Sequence, residues 1–174
     1  MTKYVKPMLS AVGEHLLYAL LSFFLVGTFG SIFKNSLPVV SVITALIYLS
    51  SAYSAAWHIS GKDLRRANEA VRVDPEAKYT YRIYDGFVIA LPLLLIGAFL
   101  LIMAHIMPGT PWFIAFRVFD VYMLFLYDIK NLGILPEILA VIFPCIFYGL
   151  GYIAGKTKKI FVVKHIYKIF YKKK

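Results

Sequence analysis

The sequence predicts an all-α integral membrane protein built as a four-transmembrane-helix bundle. Three observations predict this class: hydrophobic residues make up 60% of the 174 positions, charged residues make up 16%, and the mean hydropathy is +0.73. A water-soluble domain is about 45–50% apolar by a similar count. The excess is too large for one core that faces water, so we expect lipid to cover much of the surface.

Four stretches are long enough to cross a bilayer, which takes about 20 largely apolar residues in a helix. They are residues 16–33, 38–57, 87–107 and 133–155. Pro108-Gly109-Thr110-Pro111 ends the third stretch, and Pro144 predicts a kink in the fourth. We expect residues 1–174 to form a single membrane domain.

The positions of the basic residues predict the orientation. With these four helices, 16 of the 19 Lys and Arg residues lie on one side and 3 on the other. Lys and Arg are enriched on the cytoplasmic side of membrane proteins. We therefore expect both termini and the basic loop 60–82 in the cytoplasm. We also expect a plasma or inner membrane location, and the Lys-, Ile-, Tyr- and Phe-rich composition favours a bacterial one.

The loop 60–82 begins with a helical pattern. Leu64, Ala67 and Val71 recur at helical spacing, so we expect the second helix to continue beyond residue 57. Asp74-Pro75 is a plausible end, because a residue before proline avoids the α region.

Residues 112–130 form the ambiguous segment. Its first part, WFIAFRVFDVYMLFLY, is apolar and aromatic but contains Arg117 and Asp120. A fifth crossing would put the basic tail outside, so we expect an interfacial or re-entrant segment on the outer face.

The tail 156–174 is basic and amphipathic. Lys164, Lys168 and Lys172 follow one another at every fourth position, with Val and Ile residues on the opposite face. A helix of this kind lies on a membrane surface and attracts anionic lipids. We expect it to bind the inner leaflet.

Burying an ionisable side chain deep in a bilayer costs free energy, so such a residue is taken as a candidate functional residue. Glu14 and His15 fall at the inner end of the first predicted helix, and Asp85 falls just before the third. These three are the candidate ligand- or proton-binding residues. We expect an outer group of His105, Asp120, Asp128 and Glu137. The predicted helix centres then carry no charge, which argues against a proton relay.

The sequence contains no motif for a metal, a cofactor or catalysis. Four scattered His residues and one Cys, without an H-E-x-x-H, do not predict a metal site. The net charge is +10, but the basic residues flank apolar segments and do not form a folded basic face. We therefore expect no nucleic-acid partner. We expect no cofactor and no enzymatic activity; an intramembrane lipid or peptide enzyme is the alternative.

Small residues at four-residue spacing predict close helix packing. Three pairs stand out: Gly27 with Ser31, Ser51 with Ala55, and Gly151 with Gly155. They could pack within the bundle, or against a membrane protein partner or a second copy.

These features favour a non-catalytic subunit or accessory protein of a larger membrane assembly. The alternative is a small oligomeric transporter or permease for a small solute, with Pro92, Gly97 and Pro144 breaking helices around a cavity.

Overall fold

The structure, a computed structural model, describes residues 2–32, 37–73, 82, 84–127 and 133–157. Helix accounts for 93% of the described residues, which include no strand. The elements are α1 (Thr2–Ile32), α2 (Leu37–Val73), α3 (Asp85–Ile106), α4 (Pro111–Phe119), a 3₁₀ turn (Val121–Met123), α5 (Leu124–Tyr127) and α6 (Leu135–Thr157). Four of them, α1, α2, α3 and α6, are long and apolar enough to cross a membrane. The predicted number of such helices is confirmed.

Helix α1 begins at Thr2, well before the predicted start at residue 16. Two polar side chains in its first half contact other helices: Lys3 lies 3.1 Å from Asp85 of α3, and His15 Nδ1 lies 2.8 Å from the Tyr48 hydroxyl of α2. Such polar residues lower the hydropathy of a segment, because the scale takes no account of partners that they find in the folded protein. The predicted helix therefore began too late. Glu14 and His15 therefore lie near the middle of the candidate span Lys3–Phe29, and not at the end of a helix as expected.

Helix α2 runs without a break to Val73, which confirms that it continues beyond residue 57. The first part of the predicted loop, residues 60–73, is thus helical. The predicted end at Asp74-Pro75 lies outside the described residues. Helices α3 and α6 begin and end within two residues of the predicted limits.

Helix α6 is the centre of the packing, and its main neighbours are α2 and α3. Glycines allow the close approach: a Cβ on Gly151 would collide with the backbone of Tyr53, and one on Gly155 would lie 2.6 Å from the Trp57 carbonyl oxygen. Both predicted glycines therefore pack within the bundle. Gly86 and Gly97 of α3 and Gly149 of α6 allow the same close approach between α3 and α6.

The other predicted small residues differ in their surroundings. Ser51 accepts a hydrogen bond from Tyr18 of α1 at 3.0 Å, and Ala55 packs against the core. Gly27 is exposed, and a Cβ placed on it would meet no atom of the described part of the chain within 4 Å. The side chain of Ser31 is outside the described part of the chain.

The segment from Pro111 to Tyr127 folds back into the bundle. Gly109, at a φ of 77°, turns the chain after α3, and the Thr110 hydroxyl donates to the Met107 carbonyl at 2.6 Å. Further on, the Phe125 amide donates to Ser41 Oγ of α2 at 2.8 Å. Its middle is buried: Phe116, Phe119, Asp120, Val121, Tyr122 and Met123.

The basic tail beyond Thr157 lies outside the described residues, and with it the predicted surface lysines Lys164, Lys168 and Lys172.

Candidate functional site

Four polar residues from three parts of the fold meet inside the bundle: His15, Tyr48, Asp120 and Tyr122, here called the central cluster. His15 is 1% exposed, and Asp120 and Tyr122 are 0% exposed. His15 Nδ1 is hydrogen-bonded to the Tyr48 hydroxyl at 2.8 Å, and the Tyr122 hydroxyl donates to Asp120 Oδ1 at 3.2 Å. The rings of Tyr48 and Tyr122 lie 4.5 Å apart between centroids, so the two hydrogen-bonded pairs are in contact.

Small side chains on α1 make room for the folded-back segment. His15 shares a buried face with Ala11, Ala19 and Ser22, which lie four residues before it and four and seven residues after it, the spacing of one helix face. The Phe119 ring lies against the imidazole with 4.0 Å between ring centroids. Helix α4 ends at Asp120, whose main-chain turn sends Tyr122 toward Tyr48. The cluster therefore depends on α1, α2 and the folded-back segment together.

Two atoms of the central cluster, His15 Nε2 and Asp120 Oδ2, are buried without a hydrogen-bond partner among the described residues. Leaving a buried polar atom unpaired costs about 1–3 kcal/mol. Burial raises the pKa of the Asp120 carboxyl to about 7, against smaller opposing effects of Tyr122 and Arg117. Burial in the cluster therefore favours the protonated form of the Asp120 carboxyl.

A second polar group lies at the end of the bundle where α1 and α3 begin. Both oxygens of the buried Asp85 are engaged, one by Lys3 at 3.1 Å and the other by the Tyr4 hydroxyl at 3.0 Å. Tyr152 of α6 donates to Asp63 of α2 at 2.8 Å, and Lys3 also lies 3.9 Å from Asp63. Asp85, predicted as a ligand or proton candidate, connects the beginnings of α1 and α3 through these contacts.

A third polar group lies at the opposite ends of α3 and α6. Glu137 pairs with Arg117 at 3.1 Å and with His105 at 3.4 Å, and the Arg117 guanidinium lies 3.9 Å from the centroid of the Tyr127 ring. The predicted outer group is thus found in part. His105 and Glu137 meet there, Asp120 belongs to the central cluster, and Asp128 lies outside the described residues.

Glu14 and His15, adjacent in sequence, point to different surroundings. The Ser10 hydroxyl donates to Glu14 within α1 at 3.5 Å, whereas His15 faces Tyr48 of α2. Sequence reasoning identified His15 but placed Asp120 at the outer rim and did not identify Tyr48 or Tyr122. The available signal was an Asp inside the aromatic run 112–127.

The described residues show no group of three or more His, Cys, Asp or Glu side chains that could hold a metal ion. In comparisons with protein-family models, with curated proteins and with solved structures, nothing matched this chain. What the chain does is therefore inferred from its own residues and their geometry.

Proposed function

We propose that this chain is a multi-pass membrane protein that serves as a non-catalytic subunit of a larger membrane assembly. Rows of exposed leucines on the four long helices support the membrane location, for example Leu17, Leu46, Leu95 and Leu150. The division of basic residues supports cytoplasmic termini. The folded-back segment then enters the bilayer from the outer face as a re-entrant element; a fifth crossing is the alternative.

An open apolar groove beside Gly27 carries the subunit proposal. The groove has a volume of about 330 Å³ and lies between Phe23, Val26 and Gly27 of α1 and Phe113, Ile114 and Val118 of α4. Gly151 and Gly155 of α6 are covered by α2, whereas the Cβ position of Gly27 has none of the described atoms within 4 Å. A glycine beside an exposed apolar groove is typical of a surface that receives another helix.

Close packing inside the bundle supports a packing role more than a transport role. A Cβ on Gly97 would lie 2.9 Å from Val141, so α3 and α6 are in direct contact at the level where a permease cavity was expected. Pro144 is buried as well. The side chains of Tyr48, Tyr122, Tyr148 and Tyr152 are also fully buried in the interior.

The subunit proposal is tested by filling the groove. Gly27→Leu places a bulky side chain where a partner helix would approach. Gly13→Leu is the matched control, because Gly13 is also exposed on α1 with nothing within 4 Å of its Cβ position. Chains extracted from native membranes in mild detergent are purified, and the proteins that accompany them are quantified.

We expect the wild type and Gly13→Leu to retain one partner and Gly27→Leu to lose it by about tenfold, which corresponds to about 1.4 kcal/mol. A wild-type particle that is monodisperse and free of partners would overturn the proposal. Equal recovery of the partner with all three chains would show that the groove is not the contact.

The central cluster favours a second candidate function, a small transporter that uses a proton. Titratable groups inside a membrane protein are costly and mark proton or solute pathways. In vesicles containing a pH indicator, such a protein admits protons under an imposed potential, and Asp120→Asn slows the uptake by about tenfold or more. Glu69→Gln, an exposed carboxylate on α2, is the control. Uptake no faster than in protein-free vesicles rules this candidate out.

A further inference from the structure

A basic pocket lies between the far part of α2 and the end of α6. Its volume is about 450 Å³, within the range of small-molecule sites, and Trp57, His58, Lys62, Arg65 and Asn68 of α2 line it, with Gly155 of α6. His58, Lys62 and Arg65 follow one another by four and three residues, so one helix face presents all three nitrogen-bearing side chains.

The positive charge of this basic pocket is not neutralised by the described residues. None of the described residues that line it is acidic, and no described ion pair involves Lys62 or Arg65. The adjacent Asp63 is engaged elsewhere, since it receives the Tyr152 hydroxyl at 2.8 Å and lies 3.9 Å from Lys3. The pocket therefore attracts an anion.

The depth of the basic pocket indicates which kind of anion it meets. If the chain spans a membrane as proposed above, the Lys3, Asp63 and Asp85 side chains mark where the apolar part of the bundle ends. The pocket lies on the same stretch of α2 as Asp63. Trp57 is the first residue of α2 that lines the pocket, and tryptophan rings are enriched at the level of lipid headgroups. The Lys and Arg side chains follow where lipid phosphates lie.

Glycine gives the basic pocket its depth. A Cβ on Gly61, which also lines the pocket, would meet none of the described residues within 4 Å, so a large side chain there would occupy the space between Trp57 and Arg65. Gly155 packs against the α2 backbone, because a Cβ on it would lie 2.6 Å from the Trp57 carbonyl oxygen. The pocket is thus a shaped recess and not only a row of charges.

We propose that the basic pocket binds the phosphate headgroup of an anionic membrane lipid on the cytoplasmic side. Lys62 and Arg65 pair with the phosphate, which guanidinium and ammonium groups bind through charge-assisted hydrogen bonds. The Asn68 amide and His58 are additional donors, and the Trp57 ring lies beside the glycerol region. The proposal rests on the membrane location of the chain and goes beyond its role as a subunit.

The two tryptophans of the chain, Trp57 and Trp112, allow a direct test. Trp112→Phe leaves Trp57 as the one fluorescent reporter, at the pocket itself. The full chain is placed in phosphatidylcholine vesicles that contain either brominated phosphatidylglycerol or brominated phosphatidylcholine, and Trp57 quenching is followed against the fraction of brominated lipid. We expect half-maximal quenching at a several-fold lower fraction of phosphatidylglycerol.

Three variants separate the basic pocket from general attraction to a basic surface. Lys62→Gln with Arg65→Gln removes two charges, each worth about fivefold near an anionic surface. That is enough to remove a several-fold preference, so we expect both lipids to quench this variant equally. Arg72→Gln, an exposed arginine further along α2, is the charge control and keeps the preference. Gly61→Leu fills the pocket without changing any charge, and we expect it to abolish the preference.

Each other result contradicts a particular part of the proposal. Equal quenching by both lipids, or a preference that survives Gly61→Leu, overturns the headgroup site while the membrane location stands. Quenching by neither lipid contradicts the membrane location instead. Excess inorganic phosphate is added as a competitor. If it reverses the phosphatidylglycerol effect in the Trp112→Phe chain but not in the Lys62→Gln, Arg65→Gln chain, the ligand is a soluble phosphate. That result overturns the lipid assignment.

Discussion

Individual polar side chains occupy three levels of the bundle, and at each level they join different elements. Asp85 and Asp63 join the ends of α1, α2, α3 and α6 through fully used carboxylates. Glu137 pairs with Arg117 and His105 at the opposite ends of α3 and α6. Between these levels, the central cluster has two buried atoms without a partner among the described residues. The two end levels join helices through ion pairs and hydrogen bonds, whereas the middle level holds the buried Asp120 carboxyl, whose pKa burial raises.

The Asp120 carboxyl predicts how stability depends on pH. Its pKa is about 7 in the folded protein and near 3.8 when exposed. Because the folded state favours the protonated form, this contribution to stability is complete below about pH 4. It is lost as the pH rises through 7, by an amount on the order of 4 kcal/mol. Unfolding in detergent is measured between pH 5 and pH 8.

Asp120→Asn keeps the shape of the side chain and cannot ionise. We expect it to flatten the loss of stability between pH 5 and pH 8, with the largest gain over the wild type at pH 8. Glu69→Gln, at an exposed site, controls for the loss of one negative charge. Identical pH profiles for the wild type and Asp120→Asn would show that Asp120 is not the titrating group.

At the scale of elements, glycine decides which helices approach most closely. Helix α6 presents Gly151 and Gly155 to the α2 backbone and Gly149 to Phe87 of α3. In the proposed membrane location, helices have no hydrophobic drive to associate, so close contact of this kind favours their packing. The same residue type on α1, Gly27, has no such neighbour among the described residues.

Gly151→Ala tests the seam between α2 and α6. The added Cβ would overlap the Tyr53 carbonyl group, which is backbone and not able to rotate aside. We expect a loss of about 1–3 kcal/mol in the free energy of unfolding, the usual cost of overpacking. Gly13→Ala is the matched control on an open helix face, where alanine favours a helix by roughly 0.5–1 kcal/mol. Opposite signs for the two variants are therefore expected; a neutral Gly151→Ala would contradict the seam.

The sequence predicted elements better than it predicted contacts. Continuous apolar stretches and prolines located α3 and α6 closely, because these helices contain few polar residues. The start of α1 was missed because Lys3 and His15 find partners only in the folded chain. The central cluster was missed for the same reason, since Tyr48 and Tyr122 are separated by two helices and resemble other tyrosines.

At the scale of the whole molecule, the three polar levels follow one another along the length of the bundle. The Asp85 level lies beside the basic face of α2, and the Glu137 level lies beside the turn at Pro108-Gly109. The proposed orientation puts the first in the cytoplasm and the second outside. The basic pocket then faces the inner leaflet, and the groove at Gly27 opens in the outer half of the membrane.

Cysteine labelling tests this orientation. Cys145 is the one native cysteine, so Cys145→Ser provides a background without a thiol. Single cysteines then replace Lys34, Arg66, Met107 or Lys173, and a membrane-impermeant thiol reagent is applied to intact cells and to inverted vesicles. We expect positions 34 and 107 to react in intact cells, and positions 66 and 173 to react only in inverted vesicles.

The folded-back segment gives the strictest test of the topology. Tyr122→Cys in the same Cys145→Ser background places a thiol at a fully buried position. In a re-entrant segment it stays unlabelled in intact cells and inverted vesicles alike, yet reacts after denaturation, which serves as the control. A fifth crossing would instead put positions 107 and 173 on the same side. Labelling of both from outside intact cells would therefore overturn the four-span topology, because an even number of crossings requires positions 66 and 173 to share the cytoplasmic face.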